Sequence, residues 1–108
     1  MINLKERKIR SRAPLRVGLA GGGTDLKDFF CNYNGAVLNV AIKKYAFTEI
    51  SYSKEYLILF SSDLNLCEKI NLRKIDKHKT ELKLHFFTYK YMMKKYNKGI
   101  LIPAEITT

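Results

Sequence analysis

The chain has 108 residues, 46% hydrophobic and 28% charged, with 2 prolines; this is one small foldable domain or a piece of a larger one, and it excludes disordered, collagen-like and low-complexity classes. No apolar run approaches the roughly 18 to 20 residues of a membrane span, so no membrane partner is expected. The balance of 20 basic against 10 acidic residues, +10, invites anionic partners, but most of the basic residues are scattered lysines rather than the arginines that grip phosphates and base edges bidentately, so no specific nucleic acid is expected.

The start, Met1 to Arg10, is charged and lacks the apolar segment of a secretory signal, which places the chain in the cytoplasm. In that compartment Cys31 and Cys67 read as reduced thiols, not as a disulfide or metal site. From Lys8 to Leu19 the apolar Leu15, Val17 and Leu19 alternate with Arg16, Gly18 and Ala20, which predicts a strand with one buried face and Arg16 on the other. Ala20-Gly21-Gly22-Gly23-Thr24-Asp25 is too permissive to continue that strand. Leu26 to Tyr33 then predicts a helix, with Thr24 or Asp25 as its N-cap.

Asn34-Gly35 signals a turn, and Ala36 to Tyr52 is rich in strand formers, as one long strand or two joined at Lys43-Lys44. Leu38, Val40 and Ile42 share a face there. Tyr56 to Phe60 predicts a buried strand, and Ser61-Ser62-Asp63 turns it into a partner near Leu66 to Leu72, making a hairpin. From Lys69 to Lys98 lies the densest basic stretch, read as a solvated lysine-rich face. Within it Leu82, Phe86, Tyr89, Met93 and Tyr96 fall at helical spacings, the core stripe of an amphipathic helix over Glu81 to Tyr96 capped near Gly99. Ile100 to Thr108 is again strand-like, with no turn, cap or polar tail after it.

A glycine loop between strand and helix suits phosphate, because bare amides and a helix N-terminus favour an anion. Gly18 and Gly23 have the spacing of a P-loop, but Thr24 and Asp25 stand where Lys and Ser/Thr are needed. The dinucleotide fingerprint also fails, at Ala20 from one start and at Leu26 from the other. A carboxylate at the loop's mouth is better suited to accept hydrogen bonds from hydroxyl groups, which makes Asp25 a candidate sugar ligand, with simple helix capping as the alternative. Arg16, on the non-core face of the preceding strand, offers planar donors to a phosphoryl group; the alternative is a solvated arginine.

The run Arg12-Ala13-Pro14-Leu15-Arg16-Val17-Gly18-Leu19-Ala20-Gly21-Gly22-Gly23-Thr24-Asp25-Leu26, with Gly35 to Ile42 and Tyr45-Ala46, resembles the N-terminus of the GHMP kinase superfamily, and within it the D-glycero-D-manno-heptose 7-phosphate kinases. The resemblance departs at Lys27, where Pro is usual, and at Asn34, where Gly is usual. It implies an α+β fold, a mixed sheet with helices on one face as in the ribosomal-protein-S5-like domain. Arg16 is then the catalytic residue beside the phosphoryl-transfer site. Asp25 binds sugar hydroxyls, Gly22, Gly23 and Thr24 shape the sugar pocket, and Asn39 lies near it. The implied activity is ATP-dependent phosphorylation of a small-molecule sugar phosphate, with Mg²⁺, on the way to nucleotide-activated heptose for lipopolysaccharide or capsule. Such kinases hold ATP with a second, glycine- and serine-rich loop after a strand like Ile100 to Thr108. Residues 1–108 are therefore expected to be a partial N-terminal domain, the sugar-binding half truncated at its C-terminus and inactive alone. The alternatives are a non-catalytic truncated product or sugar-binding remnant and, more distantly, a basic nucleic-acid-binding domain.

Overall fold

The computed structural model describes residues 7–108; the first six residues of the charged start lie outside it. The chain divides into two compact units, a larger one made of the stretch up to Ser11 with Phe47–Thr108, and a smaller one, Arg12–Ala46. In chain order the elements are β1 (Lys8–Ala20), α1 (Lys27–Phe30), β2 (Leu38–Tyr52), β3 (Tyr56–Ser61), β4 (Leu66–Asn71), a pair of 3-10 turns over Leu72–Lys77 meeting at Lys74, α2 (Lys83–Tyr96) and β5 (Ala104–Thr107). Sheet order is β1-β2-β5-β3-β4.

In the larger unit the last strand sits in the middle. β5 runs antiparallel to β2, from Glu49 opposite Thr107 to Tyr52 opposite Ala104, and parallel to β3, from Leu57 opposite Ala104 to Phe60 opposite Thr107. The expected α+β fold with a mixed sheet is what the chain forms. The expected hairpin is there too, with Tyr56 opposite Asn71 and Ser61 opposite Leu66, and Asn65 at φ +50 inside its turn. Asparagine tolerates that left-handed conformation better than most residues.

Period two along β3 sets the core. Leu57 and Leu59 are fully buried, and Ile70 of β4 joins them, as do Ile75 of the 3-10 turns, Leu82 at the N-cap of α2, and Phe86 and Tyr89 of the helix. Met93 packs at the margin. Each fully buried apolar side chain contributes about 1.5 to 3 kcal/mol. The predicted helical stripe holds except at its end: Tyr96 is 67% exposed, because the chain turns away through Lys98 (φ +52) and Gly99 (φ +81) and the Gly99 amide donates back to the Met93 carbonyl. Tyr89 also fixes the approach to β5. Its hydroxyl donates to the Ile102 carbonyl at 2.6 Å and accepts from the Ile102 amide at 3.0 Å, and burial pushes its pKa up despite the carbonyl bond.

The start of α2 depends on a side chain from β4. Glu68 Oε1 accepts the amides of Glu81 (2.7 Å), just before the N-cap, and of Leu82 (3.1 Å), the N-cap itself, while Oε2 lies 3.1 Å from His78 Nε2. Burial works against the charged carboxylate, but the Thr80 hydroxyl, His78 and the two amides outweigh it and hold the carboxyl at about 2. Thr80 Oγ1 is buried, and among the described residues no group meets it in good hydrogen-bond geometry.

Several boundaries differ from the sequence reading. The strand expected over Ile100 to Thr108 narrows to β5, since Ile100 to Pro103 is occupied by the helix exit and the Tyr89 clasp. Leu72 leaves β4 to begin the 3-10 turns, which Asn71 caps by accepting the Arg73 amide at 2.9 Å. β2 runs without a break at Lys43-Lys44.

Candidate functional site

Within the smaller unit, strand β1 brings Arg16 and Gly18 to one face and Leu15, Val17 and Leu19 to the other, by the alternation of a pleated strand. The expected burial of Leu15, Val17 and Leu19 does not occur: they remain 44%, 44% and 60% exposed. A second strand and one helical turn are too little to cover them. Asn39 of β2 joins the Arg16 face. Its Oδ1 lies 3.4 Å from where a Cβ on Gly18 would stand, so the bare Gly18 backbone gives the amide room two residues from Arg16.

The glycine loop is held by close backbone approach. Gly21 has φ +79, and a Cβ there would stand 1.9 Å from the Ala36 carbonyl oxygen; a Cβ on Gly35 would stand 2.2 Å from the Thr24 carbonyl oxygen. Neither position admits a side chain. Gly23 has φ +90, which L side chains avoid, whereas Gly22 has neither constraint and its added Cβ would meet open space. Two turns close the loop, Thr24 amide to Gly21 carbonyl at 3.1 Å and Leu26 amide to Gly23 carbonyl at 3.2 Å. Thr24 Oγ1 lies 2.8 Å from the Gly21 carbonyl and 3.0 Å from the Ala36 carbonyl, and accepts the Ala36 amide at 3.2 Å.

Asp25 does not cap the helix. The N-cap of α1 is Leu26, with no side-chain capping bond, and the helix is a single turn rather than the expected run to Tyr33. Two consecutive turns use up the residues a capping geometry needs, and Cys31 to Tyr33 finish as a turn. A helix this short brings no dipole to an anion, which removes one support for phosphate at the loop. Asp25 is exposed, and neither it nor Arg16 makes an ion pair or hydrogen bond among the described residues. Gly35 and Ala36 are site residues the sequence reading missed as such. Asn34-Gly35 signalled only a turn, and the contact with Thr24 across 11 or 12 positions leaves no local pattern.

Elsewhere, the larger unit has an apolar groove of about 470 Å³ between α2 and the sheet, lined by residues such as Ile50, Met92, Ile102 and Ile106, with His85 Nε2 and Thr108 Oγ1 2.6 Å apart at its edge. Sugars need several converging polar groups, and this groove offers few. Among the described residues no cluster of His, Cys, Asp and Glu is built to hold a metal, and both cysteines are free and exposed. Among the described residues no helix is long and apolar enough to cross a membrane.

No protein-family model matches the chain. Over 54 residues, half of its length, it is 43% identical to the D-glycero-alpha-D-manno-heptose 7-phosphate kinase of Campylobacter jejuni, of which it covers 16%. Among solved structures, 91% of the chain superposes on a D-glycero-D-manno-heptose 1-phosphate kinase from Bacteroides thetaiotaomicron with a TM-score of 0.76 and 27% identity, covering 32% of that protein. The mevalonate kinase of Methanococcus jannaschii shares the fold, with a TM-score of 0.70 over 95% of the chain at 19% identity, and again 32% of that protein is covered. The chain thus spans a sixth to a third of the length of these relatives. The expected resemblance therefore holds: the relatives of this chain are GHMP-type kinases, heptose-phosphate kinases among them.

Proposed function

We propose that residues 1–108 form the sugar-binding part of an N-terminal domain in an ATP-dependent GHMP-type kinase that phosphorylates D-glycero-D-manno-heptose 7-phosphate. The observation that carries the reading is Asp25, a carboxylate without a partner among the described residues, on a glycine loop clasped to the segment leading into β2. An ionised carboxylate accepts hydrogen bonds only, which suits vicinal hydroxyls of a sugar. Each such bond to a charged acceptor contributes roughly 1.5 to 3 kcal/mol. Gly22 and Gly23 leave space beside it, and Asn39 supplies an amide on the Arg16 face. Arg16, unpaired internally, is the catalytic residue of this reading, its guanidinium stabilising charge on the transferring phosphoryl group. Heptose 7-phosphate is preferred to the 1-phosphate because the 43% identical relative carries that name.

In a full-length kinase of this type ATP would be the phosphoryl donor, and Mg²⁺ would neutralise charge on its phosphates. Neither fits the residues present: Asp25 stands where a P-loop would carry its Ser/Thr, and the described residues contain no metal-ligand cluster. Placed this way, the protein works in the cytoplasm on the supply of nucleotide-activated heptose for lipopolysaccharide or capsule.

Asp25→Asn tests the reading in a longer kinase that contains this segment. The substitution keeps the shape and removes the charge. Calorimetric titration with heptose 7-phosphate should show affinity reduced about tenfold or more, at 1.4 kcal/mol per decade, with the melting temperature unchanged. Intact affinity with a lowered melting temperature would mean that Asp25 is a structural residue only.

A further inference from the structure

We propose that Thr24 is not a sugar ligand but the positioning residue that locks the glycine loop to the segment leading into β2 and so fixes Asp25; the proposal rests on the sugar-binding reading above. The hydroxyl has one proton and two lone pairs. Its proton is shared between the Gly21 and Ala36 carbonyls, at 2.8 and 3.0 Å, and a lone pair takes the Ala36 amide at 3.2 Å. Little capacity is left for a ligand. A hydroxyl that contacts sugar would instead need a free donor or acceptor aimed outward.

The surrounding backbone shows what the lock holds. Gly21 lets the Ala36 carbonyl come within 1.9 Å of an ideal Cβ position, and Gly35 does the same for the Thr24 carbonyl at 2.2 Å. The two segments therefore touch through bare backbone at two crossing points, and bare backbone contact brings little dispersion or hydrophobic attraction to hold it. The threonine hydroxyl supplies the bonds that span the contact. Asp25 is next in the chain, bracketed by the turn that ends at the Thr24 amide and the turn that ends at the Leu26 amide, so its Cα moves if the clasp opens. Its own carboxylate makes no bond that would hold it. Misplacing a binding group by about 1 Å is enough to cost binding and rate severely.

The test uses the 108-residue chain with Thr24→Val, close in shape but without the hydroxyl, and Thr24→Ser, which keeps it. Amide hydrogen exchange at Ala36 is read by NMR, and heptose 7-phosphate affinity by chemical-shift titration. Thr24→Val should speed Ala36 exchange about five- to tenfold and weaken sugar affinity at least fivefold, and Thr24→Ser should restore both to within about twofold. Protection of Leu57 and Leu59, in the core of the larger unit, should not change and reports that each variant is folded. Unchanged Ala36 exchange in Thr24→Val would overturn the lock. Faster exchange with sugar affinity intact would overturn the positioning role, and so would a Thr24→Ser variant that regains Ala36 protection without regaining affinity, since the threonine methyl would then contact the ligand. A wild-type chain that shows no titration with heptose 7-phosphate while keeping slow Ala36 exchange would defeat the sugar reading and the positioning role with it, leaving only a structural clasp.

Discussion

Replacing Glu68 with Gln should destabilise the chain in a way that depends on pH. The Glu68 side chain is 16% exposed and binds the amides of Glu81 and Leu82, which lead into α2, so its charge lies near the positive end of the helix dipole. Its carboxyl is held at about 2 against an ordinary 4.5. Because the folded value is the lower one, the stabilisation is fully present above pH 4.5 and is lost as the pH falls from there through about 2. At about 1.4 kcal/mol per unit that drop bounds the contribution at about 3 kcal/mol. The carboxylate still reaches water, so about 1 to 2 kcal/mol is expected. Gln keeps an acceptor for the Glu81 and Leu82 amides and removes only the charge. Urea unfolding followed by helical circular dichroism should therefore show the variant about 1 to 2 kcal/mol less stable at pH 7, and the gap should close near pH 2. Glu49, also held low by Lys8 and Arg10, titrates alike in both proteins and cancels from the difference. A gap that stays constant across the range would show that size or packing at position 68, and not its charge, is what matters.

Two further outcomes follow from residues the chain has and lacks. The 108 residues contain no second glycine- and serine-rich loop, so coupled ADP release with ATP and heptose 7-phosphate should not exceed that of an Arg16→Ala control. The scattered lysines should give only weak, sequence-independent association with DNA or RNA that fades by about 0.2 M salt; sequence-selective retention in a filter-binding assay at that salt would contradict it.

Where a local period coincided with burial, the fold was legible. Leu82, Phe86, Tyr89 and Met93 repeat at helical spacing, and all four meet the core. Leu57 and Leu59 lie in a short apolar run bounded by turn residues and are fully buried. The alternation of Leu15, Val17 and Leu19 correctly gave a strand and wrongly a buried face, because alternation reports which residues share a side and not whether anything covers it. The start of α2 was illegible for another reason. Its partner Glu68 lies 13 and 14 residues upstream on β4, and neither Glu81 nor Leu82 is a capping residue type. Likewise the one-turn α1 lost the expected cap to backbone turns at Gly21 and Gly23, whose formation the glycines allowed but did not announce.

The distribution of charge partners separates the groups that stabilise the chain from those left to act on a ligand. Glu49 pairs with Lys8 and Arg10, Asp76 with Lys90, and Glu68 with His78, all within the larger unit, where the hydrophobic core also lies. In the smaller unit nothing is fully buried, and the loop is shaped by backbone contacts at Gly21 and Gly35 and by the Thr24 hydroxyl rather than by ion pairs. Arg16 and Asp25 consequently keep their whole hydrogen-bonding capacity. Exposure alone does not make a site, since Asp63 and Glu105 have no ion pair among the described residues either. What distinguishes Asp25 is that a two-point clasp and two backbone turns position the backbone that carries it, while its carboxylate stays unspent. A positioned backbone under a free charge is the arrangement that lets binding energy go to the ligand instead of to ordering the protein.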